Sequence, residues 1–216
     1  MTSIGDHRMA PGKVGLVLHK AAFYDFGVWL MLLGRERAFR EEMLRPARLA
    51  RSESVLDVGC GTGGLALAAK RQVGAEGRVT GVDPSLEMLA RAEKKARKAG
   101  LDIVFKQAAA QALPFVDAQF DVVCSTLMLH HLPRQARGEF AREARRVLRP
   151  GGRVLAIDFA APEAGRHRVL PGLHRHGHVK PGHIAAILEE AGLKVVDSGV
   201  TTRGLQFALA TKLDAG

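Results

Sequence analysis

From residue 54 onward the chain alternates short apolar runs with longer amphipathic ones. "SVLDVG" (54–59) predicts a strand, and "GLALAAKRQV" (64–73) a helix closed by Gly74. "RVTGVD" (78–83) predicts a second strand, and "SLEMLARAEKKARKAG" (85–100) a helix with Ser85 as N-cap and Gly100 as its stop. "DIVFKQ" (102–107) and "FDVVCST" (120–126) read as two more strands. "RQARGEFAREARRVL" (134–148) reads as a helix ended by Pro150, and "RVLAIDF" (153–159) as a strand. A helix over 183–192 precedes two closing strands, 194–200 and 205–211, joined as a hairpin around Thr201–Gly204. Strands and helices alternating through short connections predict an α/β fold, a parallel sheet covered by helices on both faces.

The first fifty residues follow another pattern. "AAFYDFGVWLMLLG" (21–34) is apolar and aromatic but too short to span a membrane, so it reads as a helix covering something. "RERAFREEMLRPARLA" (35–50) is amphipathic, with Phe39, Met43 and Leu44 on one side and Pro46 as a break. Residues 1–50 are therefore expected to form a helical cover, residues 51–216 the main domain, and residues 159–182 a lid inserted in it.

Length and composition narrow this reading only modestly. At 216 residues the chain suits one domain, and its apolar and charged fractions are those of an ordinary globular protein. No apolar run reaches the length of a membrane span, and the N-terminus has no apolar signal-peptide centre. Cys60 and Cys124, the only cysteines, sit in strand-like apolar contexts and are expected to be reduced and buried. A cytoplasmic location is the expectation. The net charge of +10 is spread along the chain with no basic arm. It suits a solvated surface, and an anionic partner, membrane surface or nucleic acid, is the alternative. Peripheral membrane contact and oligomeric state stay open.

The candidate chemistry lies at strand ends, where open parallel sheets bind ligands. Gly59, Gly61 and Gly63 alternate after the first strand, and Gly59, Gly61 and Gly64 satisfy the G-x-G-x-x-G fingerprint. Glycine there permits a tight turn and lets main chain approach a ligand. Asp83 ends the second strand, where a carboxylate can accept from both hydroxyls of a ribose. An adenosine-bearing cofactor fits both features, and nicotinamide dinucleotides and S-adenosylmethionine both qualify. Asp57 separates them. It stands two residues before Gly59, awkward beside a pyrophosphate but favourable beside an ammonium and a sulfonium.

"VLDVGCGTGG", "VTGVDPSLEML", "QALPF", "FDVVCSTLMLHHL" and "RVLRPGGRVLAIDF", in this order, resemble class I S-adenosylmethionine-dependent methyltransferases. They are most similar to the branch holding ubiquinone/menaquinone-biosynthesis and phospholipid N-methyltransferases. The resemblance covers residues 20–160 well and the remainder in outline. It implies a Rossmann-like doubly wound sheet of seven strands, mostly parallel with an antiparallel final strand. It also implies S-adenosylmethionine as cofactor, S-adenosylhomocysteine as product, and a small-molecule or lipid-like acceptor. Carried onto matching positions, Gly59, Cys60 and Gly61 would pack along the methionyl and ribose portions, and Asp83 would take the ribose hydroxyls. Pro84 and Met88 would flank adenine, Met88 having core packing as its alternative. Ser125 would offer its carbonyl to the methionyl ammonium. Tyr24 has two equal readings, contact with the cofactor carboxylate or ordinary packing. The chain departs from the family where an Asp usually precedes "LPF". Ala109 occupies that position, so the acceptor for the adenine amino group is missing, although the Ala110 N–H still serves the ring.

Transfer from a sulfonium is an in-line displacement, so a base is needed only if the acceptor holds its proton. His130, and more weakly His131, follow the fourth strand and are the candidate bases. A second set, His167, His174, His176, His178 and His183, lies in a Gly- and Pro-flanked stretch interleaved with Arg166, Arg168, Arg175 and Lys180. No cysteine or carboxylate pair stands among them. A basic lid is therefore preferred to an anion or substrate contact, and both to a metal centre. Three other functions stay in play: a nucleic-acid methyltransferase, a nicotinamide-dependent oxidoreductase, and a cofactor-binding relative without activity.

Overall fold

The computed structural model describes residues 36–159, 182–201 and 204–213. Tyr24, the apolar stretch 21–34 and the lid histidines 167, 174, 176 and 178 lie outside the described residues. Seven strands form one sheet: β1 (Ser54–Val58), β2 (Arg78–Asp83), β3 (Val104–Gln107), β4 (Phe120–Thr126), β5 (Leu148–Phe159), β6 (Lys194–Val200) and β7 (Leu205–Thr211). Their spatial order is β3-β2-β1-β4-β5-β7-β6, and β7 alone runs antiparallel to its neighbours. This is the expected Rossmann-like sheet, with the strand order reversing between β1 and β4. The closing hairpin is present, tied by Thr201 N–H to the Leu205 carbonyl and Gly204 N–H to the Thr201 carbonyl.

Five helices are described: α1 (Glu36–Leu44), α2 (Gly64–Val73), α3 (Leu86–Lys98), α4 (Arg134–Val147) and α5 (His183–Glu190). Alternation along the strands divides the core in two. Leu56, Val58, Val123 and Ala156 face α4 and α5, meeting Phe140, Ala144, Ile184 and Leu188. Val55, Val122, Cys124 and Ile157 face α1 and α2, meeting Met43, Leu44, Leu65 and Ala69. Each central strand therefore buries both faces, which is why its sequence reads as a continuous apolar run.

Local chemistry sets the element ends. The Ser85 hydroxyl accepts the Met88 N–H at 3.4 Å and caps α3, and Gly100 follows it with φ +64°. Pro46 turns the end of α1 into a 3-10 turn over Arg45–Ala47. Arg153 from β5 secures that turn, donating to the Ala47 and Arg48 carbonyls while forking onto Glu53. Two boundaries differ from the sequence reading. α4 stops at Val147 rather than near Pro150, because Leu148 is already extended and pairs with Phe120, making β5 longer than expected. β3 is shorter, four residues at the sheet edge.

Candidate functional site

The crevice opens at the carboxyl ends of β1, β2 and β4. Its floor is the turn carrying Gly59, Gly61 and Gly63, all at positive φ (+72°, +52° and +79°). The Gly59 and Cys60 amides both donate to the Val82 carbonyl, at 2.8 and 3.0 Å, pinning the turn to β2. The glycines have separate reasons to be glycine. A Cβ at Gly59 would stand 2.4 Å from Met128 Cγ, so the loop after β4 by itself already requires glycine there. A Cβ at Gly61 would meet nothing within 4 Å. Bare main chain is therefore presented there to an open space, as a close-lying ligand requires.

Asp83 stands beside that space. Its carboxylate accepts the Gly61 N–H at 2.9 Å on one oxygen and the Ser85 N–H at 2.9 Å on the other. Two amides thus fix its orientation, and each oxygen keeps acceptor capacity. Its pKa is raised by burial, with the two amides working against the rise.

Asp57 lies deeper, at the end of β1 and 1 % exposed. Neither of its carboxylate oxygens has a hydrogen-bond partner. Burial pushes its pKa up to about 7; Arg40 pulls it back, Asp83 adds to the rise, and the Ala66 amide in the first turn of α2 is a weak counterweight. A carboxylate in this state costs free energy until a cation reaches it. Burial also pushes the Cys60 and Cys124 thiols up, so both are held as thiols.

On the β3 side, Pro84 is half-buried and its carbonyl accepts from the Gln107 side chain at 2.9 Å. Met88 and Ala110 are buried. The Ala112 N–H returns to the Ala109 carbonyl at 3.1 Å, closing a tight turn that leaves position 109 without a side-chain acceptor. On the β4 side, Ser125 is fully buried and its hydroxyl has no partner. The ladder between β1 and β4 ends at Asp57 and Cys124, so Ser125 is the first residue past it.

His130 and His131 sit in a 3-10 turn after β4, their rings 3.8 Å apart between centroids. His130 is held by Asp158 at the end of β5, a residue the sequence reading missed. Asp158 is fully buried; one oxygen lies 2.7 Å from His130 Nδ1 and the other accepts the His130 N–H at 2.9 Å. An ionised carboxylate only accepts, so Nδ1 carries the proton and the lone pair resides on Nε2. Arg137 steadies the turn from α4, its Nε donating to the Leu129 and Leu132 carbonyls at 2.8 and 2.9 Å. The missed residues did leave traces. Asp158 is the one charge in "VLAIDF", and Arg40 is a cation on the apolar side of the 35–50 helix.

Residues 55–152 match the family model described as a methyltransferase domain. A methyltransferase domain is thus recognisable over that stretch, a little under half of the chain. It is 38 % identical over 141 residues to the ubiquinone/menaquinone biosynthesis C-methyltransferase of Bdellovibrio bacteriovorus, covering 64 % of this chain and 58 % of that protein. To the demethylmenaquinone methyltransferase of Lactobacillus johnsonii it is 34 % identical over 144 residues, 66 % of this chain and 58 % of that one. This chain thus spans about three fifths of the length of these relatives. Among solved structures, a SAM-dependent methyltransferase from Aquifex aeolicus superposes with a TM-score of 0.74 at 24 % identity, covering 90 % of this chain and 97 % of that one. The [4+2]-cyclase SpnF superposes with a TM-score of 0.70 at 21 % identity, covering 83 % of this chain and 81 % of that one. At such identities the likeness is one of fold.

S-adenosylmethionine is the cofactor that this family and fold imply. The methyltransferase residues present fit it. The orphan carboxylate of Asp57 matches a cation, the open face at Gly61 matches a close-packed ligand, and the oriented carboxylate of Asp83 matches a diol. Among the described residues no three metal-ligating side chains converge, and no helix is long and apolar enough to cross a membrane.

Proposed function

We propose that this chain transfers a methyl group from S-adenosylmethionine to a small, lipid-like acceptor of the quinol type, with His130 as the base. The cofactor half of this reading rests above all on Asp57, buried and unpartnered beneath the glycine turn. Bound here, S-adenosylmethionine supplies a methyl group already activated on a sulfonium. Asp57 would receive the ammonium directly or through water, the Ser125 carbonyl would accept from the same ammonium, and Asp83 would receive the ribose hydroxyls. Pro84, Met88 and Ala110 bound the adenine, with no side-chain acceptor at Ala109.

The acceptor half is supported by the relatives, one named a ubiquinone/menaquinone biosynthesis C-methyltransferase and another a demethylmenaquinone methyltransferase, and by the His130–Asp158 pair. A quinol must lose an O–H proton before its ring carbon becomes nucleophilic enough to attack. Nε2 of His130 takes that proton, and Asp158 stabilises the imidazolium that results. Phe159 packs edge-on to His130 at 5.2 Å and gives this side of the crevice an apolar wall.

Two experiments test the two halves separately. Calorimetry should show S-adenosylhomocysteine binding and no binding of NADH; the reverse result sinks the cofactor assignment. Incubation with a demethylated menaquinol should yield a product 14 mass units heavier by exchange of H for CH3. A quinol left unmethylated by cofactor-binding protein would remove the acceptor assignment alone.

A further inference from the structure

The methyl-transfer reading leaves the chain's surplus of positive charge unexplained, and part of that surplus converges on a second place. A groove of about 170 Å³ lies between α1, α2 and α3, lined by Glu36, Arg37, Arg40, Leu67, Arg71 and Lys95. Four cations from three helices thus line it with one carboxylate, Arg37 being paired with Glu41 at 2.8 Å on its own helix.

The two key cations are poorly satisfied. Arg40 is 8 % exposed, yet its Nε has no hydrogen-bond acceptor. Glu36 approaches that nitrogen only to 3.8 Å, and Nη1 reaches no more than the Met43 sulfur at 3.9 Å. A guanidinium carries five donors, and burying it without a full set of acceptors is costly. Arg71 is exposed and makes no ion pair among the described residues. Lys95 is steered to the rim by the Thr62 hydroxyl at 2.8 Å. Gly64 lets the Glu36 and Arg40 side chains lie against α2's first turn, since a Cβ there would stand 2.9 Å from Glu36 and 3.1 Å from Arg40. Leu67 adds an apolar wall.

We propose that this groove binds a singly presented phosphate group, the Arg40 and Arg71 guanidiniums gripping its oxygens and Leu67 receiving the adjoining carbons. Guanidinium forks suit tetrahedral oxyanions, and the surplus of cations favours phosphate over a zwitterion. Two sources share that chemistry, a free phosphorylated small molecule and the headgroup of an anionic phospholipid. The proposal does not rest on the methyl-transfer reading, although Arg40 also acts on Asp57; the variants are therefore made at Arg71, which has no part in that reading.

The test titrates inorganic phosphate into the full chain, into Arg71→Glu and into Arg71→Ala, and titrates S-adenosylhomocysteine into all three. The unaltered chain should bind phosphate, Arg71→Ala about tenfold more weakly and Arg71→Glu more weakly still. S-adenosylhomocysteine affinity should be the same in all three. Co-sedimentation with phosphatidylglycerol vesicles but not phosphatidylcholine vesicles, lost in Arg71→Glu, identifies the headgroup as the source. Phosphate binding without vesicle binding identifies the free compound. The proposal fails if phosphate does not bind, if both variants bind it as well as the unaltered chain, or if S-adenosylhomocysteine displaces it. It fails too if a single-stranded RNA binds far more tightly with a steep salt slope indifferent to Arg71, because the surplus then serves a nucleic-acid face.

Discussion

Two carboxylates end neighbouring parts of the same sheet, equally buried and oppositely furnished. Asp158, at the end of β5, accepts from the His130 amide, the His130 ring and the Phe159 amide. Asp57, at the end of β1, has no well-formed hydrogen bond to either oxygen, with only the Arg40 charge and the Ala66 amide acting on it from further off. Both are at most 1 % exposed. A buried charge whose partners are built into the chain is part of a positioning device. A buried charge without partners is a receptor, because only an incoming cation relieves the cost of its desolvation. In the proposed function this contrast separates the crevice into an acceptor side that the chain completes by itself and a cofactor side that it leaves unfinished.

The largest effect should come from the completed side. His130→Ala should lower kcat by about 10²–10⁴, the ordinary contribution of general-base catalysis, with S-adenosylhomocysteine affinity unchanged. A kcat within a few-fold of the unaltered chain would make His130 a packing residue. Asp158→Asn should also lower kcat, with S-adenosylhomocysteine affinity unchanged, because the amide no longer holds the ring in the Nδ1–H form; steady-state rates and calorimetry check this. Next comes Asp57→Asn, expected to weaken S-adenosylhomocysteine by about tenfold or more by calorimetry, as removal of a charge-assisted contact implies.

The same substitution has a second signature, opposite in sign. Asp57 has a folded pKa near 7 against an ordinary 3.8, so the folded cofactor-free state binds its proton more readily than the unfolded chain. Its burden on stability is therefore full above pH 7 and lifts as pH falls toward 4. Asp57→Asn should raise the melting temperature of the cofactor-free protein at pH 8, with the gain shrinking near pH 5. A smaller contrast lies within the glycine turn. Gly59→Ala should destabilise the cofactor-free fold through Met128, whereas Gly61→Ala, its Cβ in open space, should chiefly impair cofactor binding; thermal melts with and without S-adenosylhomocysteine distinguish them. Smallest is Ala109→Asp, which should tighten S-adenosylhomocysteine several-fold, the worth of one hydrogen bond of about 0.5–1.5 kcal/mol.

What the sequence made legible follows from how far each signal reaches. The alternation of apolar runs and amphipathic stretches located β1, α2, β2, α3 and β4 because their ends are set locally, by Ser85, Gly74 and the glycine turn. The start of β5 was misjudged because Pro150 suggested a boundary, whereas pairing of Leu148 with Phe120, a contact across the sheet, decides it. Asp57, Asp83 and His130 were legible as chemistry at strand ends. Asp158 was not, since its role depends on a residue 28 positions earlier in the chain. Arg40 was hidden likewise. Its place beside the first turn of α2 follows from how α1 packs, which no local pattern encodes.

One measurement bears most directly on the unfinished side of the crevice: S-adenosylhomocysteine affinity by calorimetry at pH 5.5 and 7.5, for the unaltered chain and Asp57→Asn. The unaltered chain should bind more tightly at pH 7.5, because at pH 5.5 Asp57 must give up a proton before it can hold the ammonium, and Asp57→Asn should lose that pH dependence along with affinity. Equal affinity of the two proteins at both pH values would contradict Asp57 as the cofactor's receptor.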